Sequence, residues 1–80
     1  MPKEDIFKQV QNLLNEQLGI EKEKITLESK LFEDIGADEL DTVEFIISSE
    51  EEFGIAIPEE DTEGLKTIGE WVDYFAKRLK

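Results

Sequence analysis

Apolar residues recur at helical spacing in three stretches of the chain, and at no regular spacing between them. From Glu4 to Leu18 they are Ile6, Phe7, Val10, Leu13, Leu14 and Leu18, separated by one, three or four positions, which is one stripe of a helix. Pro2 is tolerated only near a helix start and Gly19 is a good stop, so a first helix is expected over 4–18. Residues 20–37 carry Ile20, Ile25, Leu27, Leu31, Phe32 and Ile35 without a period. They read as a long loop pinned to the core by those side chains, with room for a helical turn inside it. A loop of this length is uncommon in a compact domain and needs a reason.

A second helix is expected to start at Asp38 or Glu39. Gly36 breaks what precedes it, Asp38 is a preferred N-cap, and Asp41 stands three residues on. It runs to about Phe53, with Gly54 past its end. Ile55-Ala56-Ile57-Pro58 then reads as an extended link, and 59–63 as a short helix closed by Gly64. In the last stretch, Thr67 with Glu70 forms a capping box, followed by Ile68, Trp71, Val72, Phe75 and Leu79 at 3/4 spacing. Lys77, Arg78 and Lys80 suit its negative C-terminal end. The pattern is all-α throughout, and 80 residues suit one small domain, residues 1–80, with no room for a second core.

The second helix has apolar residues on two sides. Taking Leu40 as zero and about 100° per residue, Val43 and Ile47 lie within about 60° of it. Phe45, Ile46, Ser49 and Phe53 cluster at roughly 140–240° on the same scale. The side with both aromatics is the better core candidate. Leu40, Val43 and Ile47 then form a second stripe flanked by Glu39, Glu44, Glu50 and Glu51. Such a stripe either packs on the preceding loop or serves as a protein-docking strip rimmed by like charge. The pattern favours docking.

Charge sharpens this picture. The chain holds 21 Asp+Glu against 9 Lys+Arg, a net charge of −12. No basic residue occurs between Lys30 and Lys66, a stretch that holds thirteen acids, while the rest of the chain carries eight acids and all nine bases. The negative field therefore comes from one central segment, either a solvated face or a surface that steers basic partners. Binding to nucleic-acid phosphates is disfavoured, because that affinity comes from Lys and Arg.

Other chemistry drops out by composition. There is no cysteine and no histidine, hence no disulfide, thiolate nucleophile, zinc–thiolate site or imidazole proton shuttle. No EF-hand spacing is present, so no dedicated metal site is expected. The longest apolar runs are three residues, too short for a membrane span or a secretory signal. A cytoplasmic, monomeric protein is the expectation. Paired carboxylates such as Asp38 and Asp41 suit acid–base work in principle, but a bundle this small offers no obvious cleft, so an enzyme is not expected.

Phe32-Glu33-Asp34-Ile35-Gly36-Ala37-Asp38, Leu40-Asp41-Thr42-Val43-Glu44, Glu50-Glu51-Glu52-Phe53 and Ile57-Pro58 together strongly resemble the acyl carrier proteins of bacterial fatty-acid synthesis. Gln17-Leu18-Gly19 near the start and Thr67-Ile68-Gly69 with Val72-Asp73-Tyr74 near the end extend the resemblance, in order and at the right separations. It implies a four-helix bundle with a long first loop and a short third helix, which would explain the long loop. It also implies docking on basic patches of synthase, reductase, transferase and phosphopantetheinyl-transferase partners. Asp38, Asp41, Glu44, Glu50, Glu51, Glu59 and Glu63 would supply charge there, and Leu40, Val43, Ile47 and Ile57 apolar contact.

The chain departs from the family at one decisive place. The family motif is Asp-Ser-Leu, whose serine carries phosphopantetheine; here it is Asp38-Glu39-Leu40. A carboxylate at that place would form a mixed anhydride, which water cleaves, so no phosphopantetheine is expected on Glu39. The alternatives are an engineered or natural apo-like carrier, or a non-carrying regulatory paralogue or acidic mimic that occupies basic docking sites. A smaller departure is Ser49, where the family has an aliphatic residue beside the acyl chain. Phe45, bulkier than usual, is placed to refill that space.

Overall fold

The computed structural model describes residues 1–79, and Lys80, expected to act at the last helix terminus, lies outside the described residues. Among the described residues the chain forms four α-helices: α1 (Lys3–Leu18), α2 (Glu39–Phe53), α3 (Glu59–Thr62) and α4 (Ile68–Leu79). The helical starts and stops follow local chemistry. Gly19 and Gly54 close α1 and α2 in the left-handed conformation at φ 71° and 66°, where a side chain would be strained. Glu70 accepts hydrogen bonds from the Thr67 and Lys66 N–H groups, both at 2.8 Å, and donates its own N–H to Thr67 Oγ1 at 3.2 Å. This is the expected capping box of α4, extended by one further amide.

α1, α2 and α4 each bury a face their spacing predicts. α1 contributes Ile6, Val10 and Leu14 to the core and packs against both α4 and α2. α4 contributes Ile68, Trp71, Val72 and Phe75. The Phe45 ring meets Trp71 edge-on at 5.2 Å and Phe75 at 6.3 Å, while Phe53 lies 5.0 Å from Phe75. The two Phe45 pairs are edge-to-face, a geometry that adds about 0.5–1.5 kcal/mol each beyond the area buried. The aromatic side of α2 is therefore the core side, as its pattern predicts. Ser49 is fully buried beside these rings, and its hydroxyl donates to the Phe45 carbonyl at 2.7 Å. A helix carbonyl one turn back thus satisfies the polar group.

The long loop is tied down mostly through its backbone. A 3-10 turn forms at Lys22–Lys24. Gln11 Nε2 on α1 donates to the Lys22 and Ile25 carbonyls, both at 2.9 Å, and Asn15 Nδ2 donates to the Ile20 carbonyl at 2.8 Å. Further along, Leu31 N donates to Lys66 O, Ile68 N to Ser29 O and Gly69 N to Leu27 O, strapping the loop across the start of α4. At Gly69 a Cβ would lie 3.1 Å from the Leu27 oxygen, so glycine suits this close crossing.

The structure corrects the sequence reading in two places and adds to it in two. Ile25, Leu31 and Ile35 are buried as loop anchors, but Leu27 and Phe32 are exposed at 45% and 53%. The strap of backbone hydrogen bonds makes those two anchors unnecessary. α3 ends at Thr62, and Gly64 does not take the left-handed conformation of a helix stop; instead the Thr62 hydroxyl donates to Glu59 O and Leu65 N donates to Thr62 O. Arg78 stands in the last turn of α4 as expected, and in addition its Nη2 donates to the Ala56 carbonyl at 2.7 Å. Finally, Ile57, expected to offer apolar contact to a partner, is only 7% exposed and belongs to the core cluster.

Candidate docking face and its N-terminal corner

Hydrogen bonds from three directions fix the start of α2. Asp41 N donates to Asp38 Oδ1 at 2.8 Å and Asp38 N donates to Asp41 Oδ2 at 3.1 Å, a reciprocal capping box. Thr42 Oγ1 donates to the Asp38 carbonyl at 2.9 Å. From α1, Gln17 Nε2 donates to the Asp41 carbonyl at 2.7 Å. Carboxylates here also face the positive end of the helix dipole. Glu39, the first residue of α2, is consequently held at a rigid corner with its own side chain exposed.

Beyond that corner, α2 turns its second apolar stripe outward. Leu40, Val43 and Ile47 are 73%, 49% and 51% exposed. Glu44 and Glu51 share the azimuth of the stripe to within about 40° on the helical wheel, and both are exposed. Asp38, Glu59 and Glu63 are exposed as well. Three of the acids singled out in the sequence also do structural work. Asp38 and Asp41 exchange the capping-box hydrogen bonds, with Asp41 half-buried, and Glu50 Oε2 accepts the Ile57 N–H at 2.9 Å.

Between α2 and α3 runs an open groove of about 460 Å³, lined by Phe32, Val43, Ile46, Ile47 and Ile57, with Glu39, Thr42, Glu59, Thr62 and Glu63 at its edges. Sequence reasoning missed Phe32, Thr42, Ile46 and Thr62 as groove residues. Phe32 was the one with a signal, an aromatic residue in a polar loop; its exposure became visible only once the strap placed it. Neither Phe45 nor Ser49 lines this groove. Among the described residues no group of three or more Asp or Glu side chains is arranged to hold a metal ion, and no helix is long and apolar enough to cross a membrane.

Residues 8–75 match the protein family described as "Phosphopantetheine attachment site". The chain is also 39% identical over 77 residues to the acyl carrier protein of Thermotoga maritima, an alignment that covers 96% of this chain and 95% of that protein. Phosphopantetheine is held through a phosphodiester, which needs a hydroxyl oxygen. Glu39 has none. The hydroxyls further along α2 are the Thr42 group bonded to Asp38 O, the half-buried Ser48, and the Ser49 group buried against Phe45 O. The residues present at this corner therefore do not fit covalent attachment of the group. The fold, the family match and the near-full-length relative together establish that this chain belongs to the acyl-carrier-protein family, a family of carriers and not of enzymes.

Proposed function

We propose that this chain is an acyl-carrier-type protein of fatty-acid biosynthesis that docks on its partner enzymes through the outer side of α2 and carries no phosphopantetheine or acyl chain as written. The observation that carries the reading is the exposed Leu40–Val43–Ile47 stripe inside an acidic rim, beginning at a corner whose first helical residue is a carboxylate. Its partners are basic patches on synthase and transferase enzymes, and on a phosphopantetheinyl transferase. Asp38, Glu44, Glu51, Glu59 and Glu63 steer the encounter. Leu40, Val43 and Ile47 supply the dry centre of the contact. Asp41, Glu50 and Ile57 shape the surface from behind. The protein acts as one domain over residues 1–80 and as a cytoplasmic monomer, since a net charge of −12 opposes self-association.

The test is intact mass after incubation with coenzyme A and a broad-specificity phosphopantetheinyl transferase, on this protein and on Glu39→Ser side by side. The expected result is a mass gain in Glu39→Ser alone, which identifies a carrier scaffold changed at one residue. If neither protein gains mass, the scaffold is not recognised by the transferase and the carrier reading falls.

A second reading, favoured by the exposed Glu39 carboxylate, is a regulator that occupies carrier docking sites without cargo. Glu39 places one negative charge where the prosthetic phosphodiester would place one. Under this reading Glu39→Gln and Glu39→Ala bind a carrier-dependent enzyme more weakly than the unaltered protein. Equal affinities would remove the mimicry.

A further inference from the structure

α3 is four residues long, well below the length at which a helix sustains itself. Pro58 at its N-cap makes no side-chain cap. Yet Ile57, just ahead of α3, and Glu59 and Thr62 within it form one wall of the α2–α3 groove. What fastens that wall comes from its neighbours. From α2, Glu50 Oε2 accepts the Ile57 N–H at 2.9 Å. From α4, Tyr74 OH donates to Asp61 Oδ2 at 2.9 Å. Burial, and next this hydrogen bond, push the Tyr74 phenol above its ordinary pKa of 10.0, so the donor keeps its proton. Arg78 reaches both ends of the segment. Its Nη2 donates to the Ala56 carbonyl at 2.7 Å, and its Nη1 lies 3.9 Å from the same Asp61 oxygen.

We propose that Arg78 is a positioning residue that latches residues 56–61 onto the last turn of α4 and thereby holds the α3 wall of the groove at its distance from α2. The planar guanidinium suits this because two of its nitrogens face two acceptors at once, one before α3 and one inside it. A lysine ammonium is a single point on a flexible stem and serves only one of them. Arg78 stands in the last turn of α4, so the latch joins the end of the chain's last helix to the segment before and within α3. It sets how readily an apolar molecule enters the space between Val43, Ile46, Ile47 and Ile57. The latch stands whether or not α2 docks on enzymes.

Amide hydrogen exchange on the full chain, read by peptide, tests this with Arg78→Gln, Arg78→Lys and Lys77→Gln. Lys77→Gln removes the same charge one residue away, at an exposed side chain. The expected result is exchange over 55–63 faster by about fivefold in Arg78→Gln, the scale of losing one modest hydrogen bond together with a longer ion pair. Arg78→Lys should show a smaller rise and Lys77→Gln none, while α1 stays within about twofold. Binding of a neutral apolar dye, N-phenyl-1-naphthylamine, should change in affinity by about threefold or more in Arg78→Gln alone. The proposal is overturned if exchange over 55–63 stays within twofold, if α1 rises by the same factor, or if Lys77→Gln matches Arg78→Gln. Unchanged dye affinity alongside faster exchange would remove the groove from it.

Discussion

α4 and α2 are both amphipathic, and they use their apolar residues differently. In α4 the stripe of Ile68, Trp71, Val72 and Phe75 is buried throughout, with charged residues left to the other side. α2 buries only Phe45 and Ser49 fully, and leaves Leu40, Val43 and Ile47 in solvent. A helix whose apolar residues all face inward is accounted for by folding alone. A helix that leaves Leu40 mostly exposed and Val43 and Ile47 half exposed forgoes a large part of the about 1.5–3 kcal/mol that full burial of each would supply. Folding gives no reason for that exposure, which is why the functional argument rests on α2.

The largest separation between the two helices is expected from truncation in the core against truncation on the stripe. Phe75→Ala removes the ring that meets Phe45, Phe53, Trp71 and Tyr74. It should destabilise the protein by about 3–5 kcal/mol, read by chemical denaturation, and in a domain of this size that approaches the whole margin of stability.

Acid sensitivity provides an intermediate contrast at the start of α4. Hydrogen bonds from the Thr67 and Lys66 backbone amides hold the Glu70 carboxyl below its ordinary value of 4.5. A folded-state pKa below the unfolded one means that Glu70 adds stability above the unfolded value, and that this is lost as pH falls through the folded one. Melting temperatures of the unaltered protein and Glu70→Gln should therefore differ near pH 7 and converge only in acid, once the pH has fallen through the lowered folded-state value. The difference between the two proteins is the quantity to follow, since protonating the other acids also relieves repulsion in a chain of net charge −12. A gap that persisted into acid would assign the contribution of Glu70 to something other than its charge.

The smallest stability effect belongs to the stripe. Leu40→Ala should leave stability within about 0.5 kcal/mol, because the side chain is 73% exposed. It should still weaken binding to a carrier-dependent enzyme by about tenfold or more if Leu40 sits in the dry centre of the contact. A stability loss comparable to Phe75→Ala would mean that the stripe packs within the fold and the contrast between the two helices fails.

Much of the architecture was legible because it is encoded over three or four residues. Asp38 with Asp41, Thr67 with Glu70, and the glycines at 19 and 54 mark helix ends through contacts that a linear reading reaches. The apolar spacing of α1, α2 and α4 marks their buried sides in the same way. The candidate site was legible at Leu40, Val43 and Ile47, where two apolar sides of one helix could not both face a single core side. Legibility ended where a partner lies far along the chain. Leu27 and Phe32 look like anchors in sequence, but the loop is strapped by its own backbone to Lys66, Ile68 and Gly69. Ile57 looks available, but the Glu50 carboxylate draws its N–H down onto α2.

By itself, then, the sequence determined an acidic all-α chain with its helix ends, its core stripes, a second apolar face on α2 and a carboxylate at the first position of that helix. Each of these follows from residue type and short-range spacing. Only the tertiary structure decided which acids remain free beside the exposed stripe of α2, which loop side chains reach solvent, and how a four-residue helix is held in place. Those outcomes depend on hydrogen bonds between segments, such as Gln17 to Asp41 and Arg78 to Ala56. Donors and acceptors that distant in the chain meet only after the core has brought the helices together.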